Sequence, residues 1–162
     1  MKIQKVRDVK TPTRGTSLSA GIDFYIPNDL GSIVVNSGHD VLIPSGIKAK
    51  LPHGYMLAAF EKSGVVTSAD ACKKAGRRVK PDALHSVVIC GARIVDEDYQ
   101  GEIHIHLINV GRRTVTLEPG MKIAQFILVP VSYEDIEVVE DNLFTEATER
   151  GDRGFGFGTG NK

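Results

Sequence analysis

Glu102-Ile103-His104-Ile105-His106-Leu107 alternates polar and apolar residues without a break. Successive side chains of an extended strand point to opposite faces, so this period of two reads as a half-buried strand. Ile103, Ile105 and Leu107 share one face. His104 and His106 share the other, and since two histidines fall short of a zinc set they read as a polar strand face. Working outward, Ile22–Pro27, Ile43–Leu51, Gly54–Phe60, Ser86–Cys90, Thr114–Leu117 and Ile123–Val131 are similarly β-rich. Turn signals separate them: Pro27-Asn28-Asp29, Asn36-Ser37-Gly38, Pro44-Ser45-Gly46, Pro52-His53-Gly54 and Glu118-Pro119-Gly120. Many short strands between closely spaced turns predict an antiparallel barrel or sandwich instead of βαβ units. One short helix is expected over Thr67–Ala75, with Thr67 or Ser68 as N-cap and Gly76 as its stop.

Composition narrows the function classes. The chain has 162 residues, 20 Lys+Arg against 20 Asp+Glu, and therefore a formal net charge of zero. That balance argues against a dedicated nucleic-acid binder, which carries a basic excess. The longest apolar runs, Tyr55–Phe60 and Phe126–Val131, are six residues each, against the roughly 20 a membrane helix needs. The N-terminus shows no apolar signal segment. Cys72 and Cys90 make neither a disulfide framework nor a zinc pattern, and read as free thiols. A cytoplasmic protein is expected, in the host cytoplasm if the chain is viral.

Two segments depart from the strand pattern. Thr67–His85 is polar and carries Lys73, Lys74, Arg77, Arg78 and Lys80. The final stretch, Arg150 to Lys162, holds five glycines together with Arg150, Arg153, Phe155 and Phe157. Glycine loses much conformational entropy on ordering, so composition predicts a flexible tail.

Three groups could carry chemistry. The acidic run Asp96-Glu97-Asp98-Tyr99-Gln100-Gly101-Glu102 falls at a strand end, where a carboxylate can activate water or hold a cation. Lys62-Ser63-Gly64 follows a strand and offers an ammonium, a hydroxyl and backbone N–H groups to an anion. In the tail, Arg150 and Arg153 with glycine N–H groups suit phosphates, and a phenylalanine ring suits a base. Taken alone, each reads more readily as a polar surface feature or a tail without a role.

Together, in order, they resemble the five motifs of the trimeric dUTPase (deoxyuridine 5′-triphosphate nucleotidohydrolase) family. The first is similar to Ala20-Gly21-Ile22-Asp23-Phe24, the second to Lys62-Ser63-Gly64, and the third to Ile94 through Glu102. The fourth is similar to Gly120-Met121-Lys122-Ile123-Ala124-Gln125. The fifth is similar to Arg150-Gly151 followed by Gly154-Phe155-Gly156 and Thr159-Gly160.

The resemblance implies an all-β, jelly-roll-like β-barrel assembled as a homotrimer with active sites between subunits. It implies a barrel over 1–149 with an insertion at about 67–85, and a tail over 150–162 that closes over the site. The implied reaction is Mg²⁺-assisted hydrolysis of dUTP to dUMP and pyrophosphate by water attack on the α-phosphorus. Carried over residue by residue, Asp96 is the catalytic carboxylate that deprotonates the water. Tyr99 lies under the deoxyribose, while Ile94, Val95 and His104 line the uracil pocket through backbone groups. Lys62, Ser63, Gly64 and Gln125 face the triphosphate, and Asp23 stands near the metal through water. Arg150, Phe155, Gly156 and Thr159 belong to the closing tail, with Phe155 stacked on the base.

Four departures from the family pattern stand out. Lys62 replaces the usual Arg, keeping charge but losing bidentate geometry. Arg93 replaces a glycine ahead of the third motif. The tail is one residue longer, so a slipped register would put Phe157 where Phe155 is expected. The segment between Ser63 and Asp96 is long, and its basic insertion could engage a regulatory protein partner. Alternative readings are accordingly a dUTPase-fold regulatory binding protein, or a related enzyme processing dCTP or dUTP.

Overall fold

The alternation at 102–107 becomes strand β10 in the computed structural model, which describes residues 1–66, 69–78 and 86–152. In chain order the first strands are β1 Lys2–Lys5, β2 Thr13–Arg14, β3 Ile22–Tyr25, β4 Ile33–Val35, β5 Asp40–Pro44, β6 Ile47–Lys50 and β7 Tyr55–Glu61. Helices α1 Ser63–Val66 and α2 Ala69–Lys74 follow. Then come β8 Val88–Cys90, β9 Ile94–Val95, β10 His104–Asn109, β11 Val115–Leu117 and β12 Lys122–Pro130. Every ladder is antiparallel.

Strands distant in sequence lie side by side, as the jelly-roll expectation requires. The largest sheet runs β2-β3-β12-β7-β9; a second runs β5-β10-β8; β4 pairs with β11 and β1 with β6. The inward face of β10 (Ile105, Leu107) is buried with Phe24, Ile43, Leu57, Val88 and Phe126 in one core. Phe24 and Phe126 meet across the β3–β12 ladder with ring centroids 4.4 Å apart and planes tilted by 45°. At the end of β10 the fully buried Asn109 has its amide satisfied on both sides. Its Nδ2 donates to Val35 O (2.9 Å) and Arg113 O (2.8 Å), and its Oδ1 accepts from Ser86 Oγ (2.8 Å). An apolar substitution would leave those buried groups unpaired.

The predicted run Ile43–Leu51 is two strands, because the ladder is interrupted at Ser45-Gly46: Ser45 N donates to Ile103 O at 3.0 Å and Ile103 N to Ile47 O at 2.8 Å, so the chain kinks there. Gly46 has φ = 72° and any Cβ there would come within 2.8 Å of Val9 Cγ1. The short strands β1, β2, β4 and β9 carry too little alternation to be read in advance. The expected helix is observed as α2, and a separate turn of helix, α1, precedes it. The cap candidates Thr67 and Ser68, and 79–85 of the insertion, lie outside the described residues. The stop at Gly76 is a Schellman closure: Gly76 (φ = 67°) donates to Lys73 O at 3.0 Å and Arg77 to Cys72 O at 2.9 Å.

The chain divides into two compact units, Met1–Ser132 and Tyr133–Lys162. This division follows β12, ahead of the 149/150 boundary read from composition. In the second unit the described residues form neither helix nor strand, and Ile136, Val138, Leu143 and Phe144 are exposed.

Candidate active site

The first, second and fourth motifs converge through strand pairing. On β3, Asp23 lies opposite Gln125 of β12, and Gln125 lies opposite Phe60 of β7, two residues before Lys62. The Gln125 amide donates to Glu61 O at 2.9 Å, and a Cβ on Gly21 would overlap the Gln125 side chain. Glycine at 21 is therefore what lets the amide lie over the strand end.

Asp23 is the electrostatic centre of this cluster. Its side chain is only 5% exposed, with Oδ1 bonded to the Lys62 ammonium and Oδ2 to Lys122 Nζ at 2.9 Å. Burial opposes ionisation, but hydrogen bonds from Lys122 and Lys62 outweigh it and hold the carboxyl below the ordinary Asp range. Ser63 is exposed beside Lys62. The cluster therefore presents two ammonium groups and an amide around one carboxylate, an arrangement that suits a polyanion.

The third motif forms a turn whose acids divide by role. Glu97 accepts from Gly54 N at 2.8 Å and meets His53 Nδ1 at 3.0 Å. Glu102 Oε1 accepts from Gly46 N at 2.7 Å and from Arg7 Nε at 2.9 Å, tying the turn to the β5–β6 kink. Asp96 is exposed, and no hydrogen bond or ion pair engages its side chain among the described residues. The turn is thus anchored by two carboxylates while Asp96, directly after β9, and Asp98 stay available. Tyr99 donates its hydroxyl to Glu102 O at 2.9 Å, and its ring covers Gly101, where a Cβ would overlap it. His104 Nδ1 meets the same carbonyl at 2.9 Å; a carbonyl only accepts, so that nitrogen carries the proton. Ile94 and Val95 form β9, paired with Ala58 and Leu57 of β7, and Ile94 is 63% exposed.

One chain thus holds two clusters. The lysine–carboxylate cluster sits at the Glu61 end of β7, and the acidic turn leaves β9 beside Leu57, four residues back along the same strand, or roughly 13 Å at strand rise. A cavity of about 500 Å³ flanks the turn and is lined by Lys2, Lys48, Lys50, Asp98 and Tyr99. Asp96, Lys62 and Gln125 are not among its lining residues, so it is not the two clusters joined. Arg150 lies in the second unit. Phe155, Gly156 and Thr159, like Phe157, lie outside the described residues.

Sequence reasoning passed over two groups. Lys122 was quoted within a motif but given no role, although its charge beside Gln125 was the available signal. Glu61 gave no signal: its Oε1 accepts from Cys90 N (3.0 Å) and from the Arg93 guanidinium (2.5 Å), which gives the unexpected Arg93 a partner.

A family profile described as dUTPase matches residues 75–159, more than half of the chain. The chain is 34% identical over 145 residues to the deoxyuridine 5′-triphosphate nucleotidohydrolase of Chlamydia trachomatis serovar L2, covering 90% of this chain and 88% of that protein. The chain belongs to the dUTPase family. The protein of the same name from Orientia tsutsugamushi is 31% identical over 146 residues, covering 90% and 85%. Among solved structures, the dUTPase of Staphylococcus bacteriophage 80alpha superposes with a TM-score of 0.74 at 18% identity, covering 96% of this chain and 95% of that one. A mutant dUTPase from phage phi11 of S. aureus, described with a coordinated structural Mg(II) ion, gives 0.68 at 16% identity, covering 88% and 98%. These likenesses agree with the dUTPase jelly roll seen here.

Proposed function

We infer that this chain is a dUTP diphosphatase, hydrolysing dUTP to dUMP and pyrophosphate. Membership of the dUTPase family, with named relatives matched over most of their length, supports the reaction. The observation that carries the chemistry is Asp96: a carboxylate held on a doubly anchored turn, exposed and without a partner among the described residues. It accepts the proton of the water that attacks the α-phosphorus, general-base work contributing about 10²–10⁴-fold.

The other roles follow from the two clusters. Lys62, with Ser63, Gly64 and Gln125, takes the triphosphate, and Lys122 adds a second ammonium. Tyr99 supports the deoxyribose where a 2′-hydroxyl would clash. Ile94, Val95 and His104 bound the uracil through backbone groups. Arg150 with Phe155, Gly156 and Thr159 closes the site. Because one chain holds two separated half-sites, the full site forms between copies, and a homotrimer is the assembly we propose. The enzyme acts in the cytoplasm.

Magnesium is the implied cofactor, and the described residues offer it no resident cage. Among the described residues no three acidic, histidine or cysteine groups cluster to hold a metal. Asp23, expected beside the ion through water, has both oxygens taken by lysine ammonium groups. Mg²⁺ therefore fits here as a companion of the triphosphate, supplying charge neutralisation, as is usual for this ion with nucleotides.

The test is to incubate the protein with Mg²⁺ and dUTP, dCTP, dTTP or UTP separately and measure monophosphate and pyrophosphate. Formation of dUMP from dUTP alone is expected. Turnover of dCTP would favour the related dCTP-processing reading. A folded protein that turns over none of them would favour the regulatory binding protein acting through the basic insertion at 67–85.

A further inference from the structure

His106, on the outward face of β10, is engaged at both ring nitrogens. Nε2 lies 2.8 Å from Asp40 Oδ2 of β5, and Nδ1 lies 3.1 Å from the Ala92 backbone nitrogen. A backbone N–H only donates, so Nδ1 is the bare acceptor and the ring proton sits on Nε2, facing the carboxylate. The neutral Nε2–H imidazole is the form that satisfies both neighbours. The ring also packs against Gly91, where any Cβ would overlap it, and Gly91 N donates to His106 O at 2.9 Å.

The segment held this way, Gly91–Arg93, connects β8 to β9. Its far end is fastened by charge: the Arg93 guanidinium meets Glu61 at 2.5 Å and Cys90 O at 3.2 Å. Arg93 O in turn accepts from Ala59 N at 2.7 Å. Ile94, Val95 and Asp96 follow directly. A shift of the connection therefore moves the base-side cluster.

We propose that His106 is a positioning residue whose neutral imidazole anchors the β8–β9 connection, so that Ile94, Val95 and Asp96 are set for substrate only while His106 is unprotonated. The titratable and charged groups around it are Asp40 with His39 from the β5 side, Cys90 from β8, Arg93 from the connection, Glu61 from β7 and His104 on its own face of β10. Asp40 accepts the Nε2 proton. The Ala92 N–H opposes a second proton on the ring, because a proton on Nδ1 would set donor against donor and release Ala92. The proposal rests on the dUTP-hydrolysis reading only for its kinetic consequence; the anchoring itself is independent of it.

The experiment uses the whole protein between pH 8 and 5, the interval in which histidines change charge. Hydrogen exchange at the Ala92 amide, corrected for its intrinsic rate, reads the anchor without substrate. KM and kcat for dUTP read its consequence. In the wild type, protection at Ala92 should fall at least about tenfold on acidification, as a local opening would give, and KM should rise alongside. His106→Asn places an amide oxygen where Nδ1 was and removes the titration, so both curves should flatten. Asp40→Asn keeps an oxygen acceptor for the Nε2 proton, so Ala92 should stay protected at pH 8. Unchanged Ala92 protection in the wild type, or a KM–pH curve identical in wild type and His106→Asn, would overturn the proposal. If His106→Asn does not fold, the wild-type exchange profile at Ala92 still decides. Absence of dUTP turnover in the wild type would overturn the functional reading instead, leaving the exchange result to judge the anchor.

Discussion

Lys122 donates its ammonium to Oδ2 of Asp23 at 2.9 Å, and Lys62 holds the opposite oxygen of the same carboxylate. The buried acid therefore acts as counter-charge for two cations. Asp23→Asn should destabilise the fold by about 1–3 kcal/mol near neutral pH, less than a fully buried pair because both lysines are partly exposed. The sign with pH follows from the depressed folded-state pKa. The stabilisation is complete above the unfolded Asp value near 3.9 and disappears as pH falls through the lower folded value. Thermal melts should separate wild type and variant at pH 7 and bring them together near pH 2.

Tyr99 and Gly101 are expected to act on sugar selectivity. Tyr99→Ala should lower the preference for dUTP over UTP by at least about tenfold. Gly101→Ala should do the same more weakly, since its methyl group displaces a ring that is 45% exposed and free to yield. Ratios of kcat/KM for the two nucleotides check this.

Glu61 and Arg93 share a contact but should differ in consequence. Arg93→Ala removes an ion pair whose arginine is half exposed, worth below about 1 kcal/mol. Glu61→Ala also strips the acceptor from the Cys90 N–H, which should cost about 1–3 kcal/mol. Denaturant melts of the two variants should therefore rank Glu61→Ala as the more damaging.

The two thiols should react unequally. Burial, reinforced by the nearby Glu61 carboxylate, pushes the Cys90 thiol up to about 11, so at pH 8 it stays protonated and shielded. Cys72 is partly exposed. Alkylation at pH 8 should label one thiol per chain quickly, and peptide mapping should find it at Cys72.

The fold class was legible because β10 and β12 are long enough to show their periods, and because glycine and proline marked the reversals between strands. Strands of two to four residues such as β2 and β9 contain less than a full alternation, so only their pairing with β3 and β7 defines them. Of the candidate site, the family resemblance picked out Asp23, Lys62 and Gln125 by motif, and strand register brings those three together. The carboxylate roles within the acidic turn were not legible. Glu97 and Glu102 are neutralised by backbone donors at Gly54 and Gly46, more than 40 residues away in sequence, and no local pattern separates them from Asp96. The Asp23 occupancy was hidden for the same reason, since Lys122 reaches it across a ladder.

The central claim is that Asp96 supplies the base for dUTP hydrolysis, and the most direct measurement is single-turnover conversion of dUTP by wild type and Asp96→Asn at pH 7.5. The Asp96 side chain is exposed and makes no hydrogen bond or ion pair among the described residues, so the variant should fold and melt like wild type while its rate falls by about 10²–10⁴-fold. A folded Asp96→Asn protein that still produced dUMP within about tenfold of the wild-type rate would contradict the account.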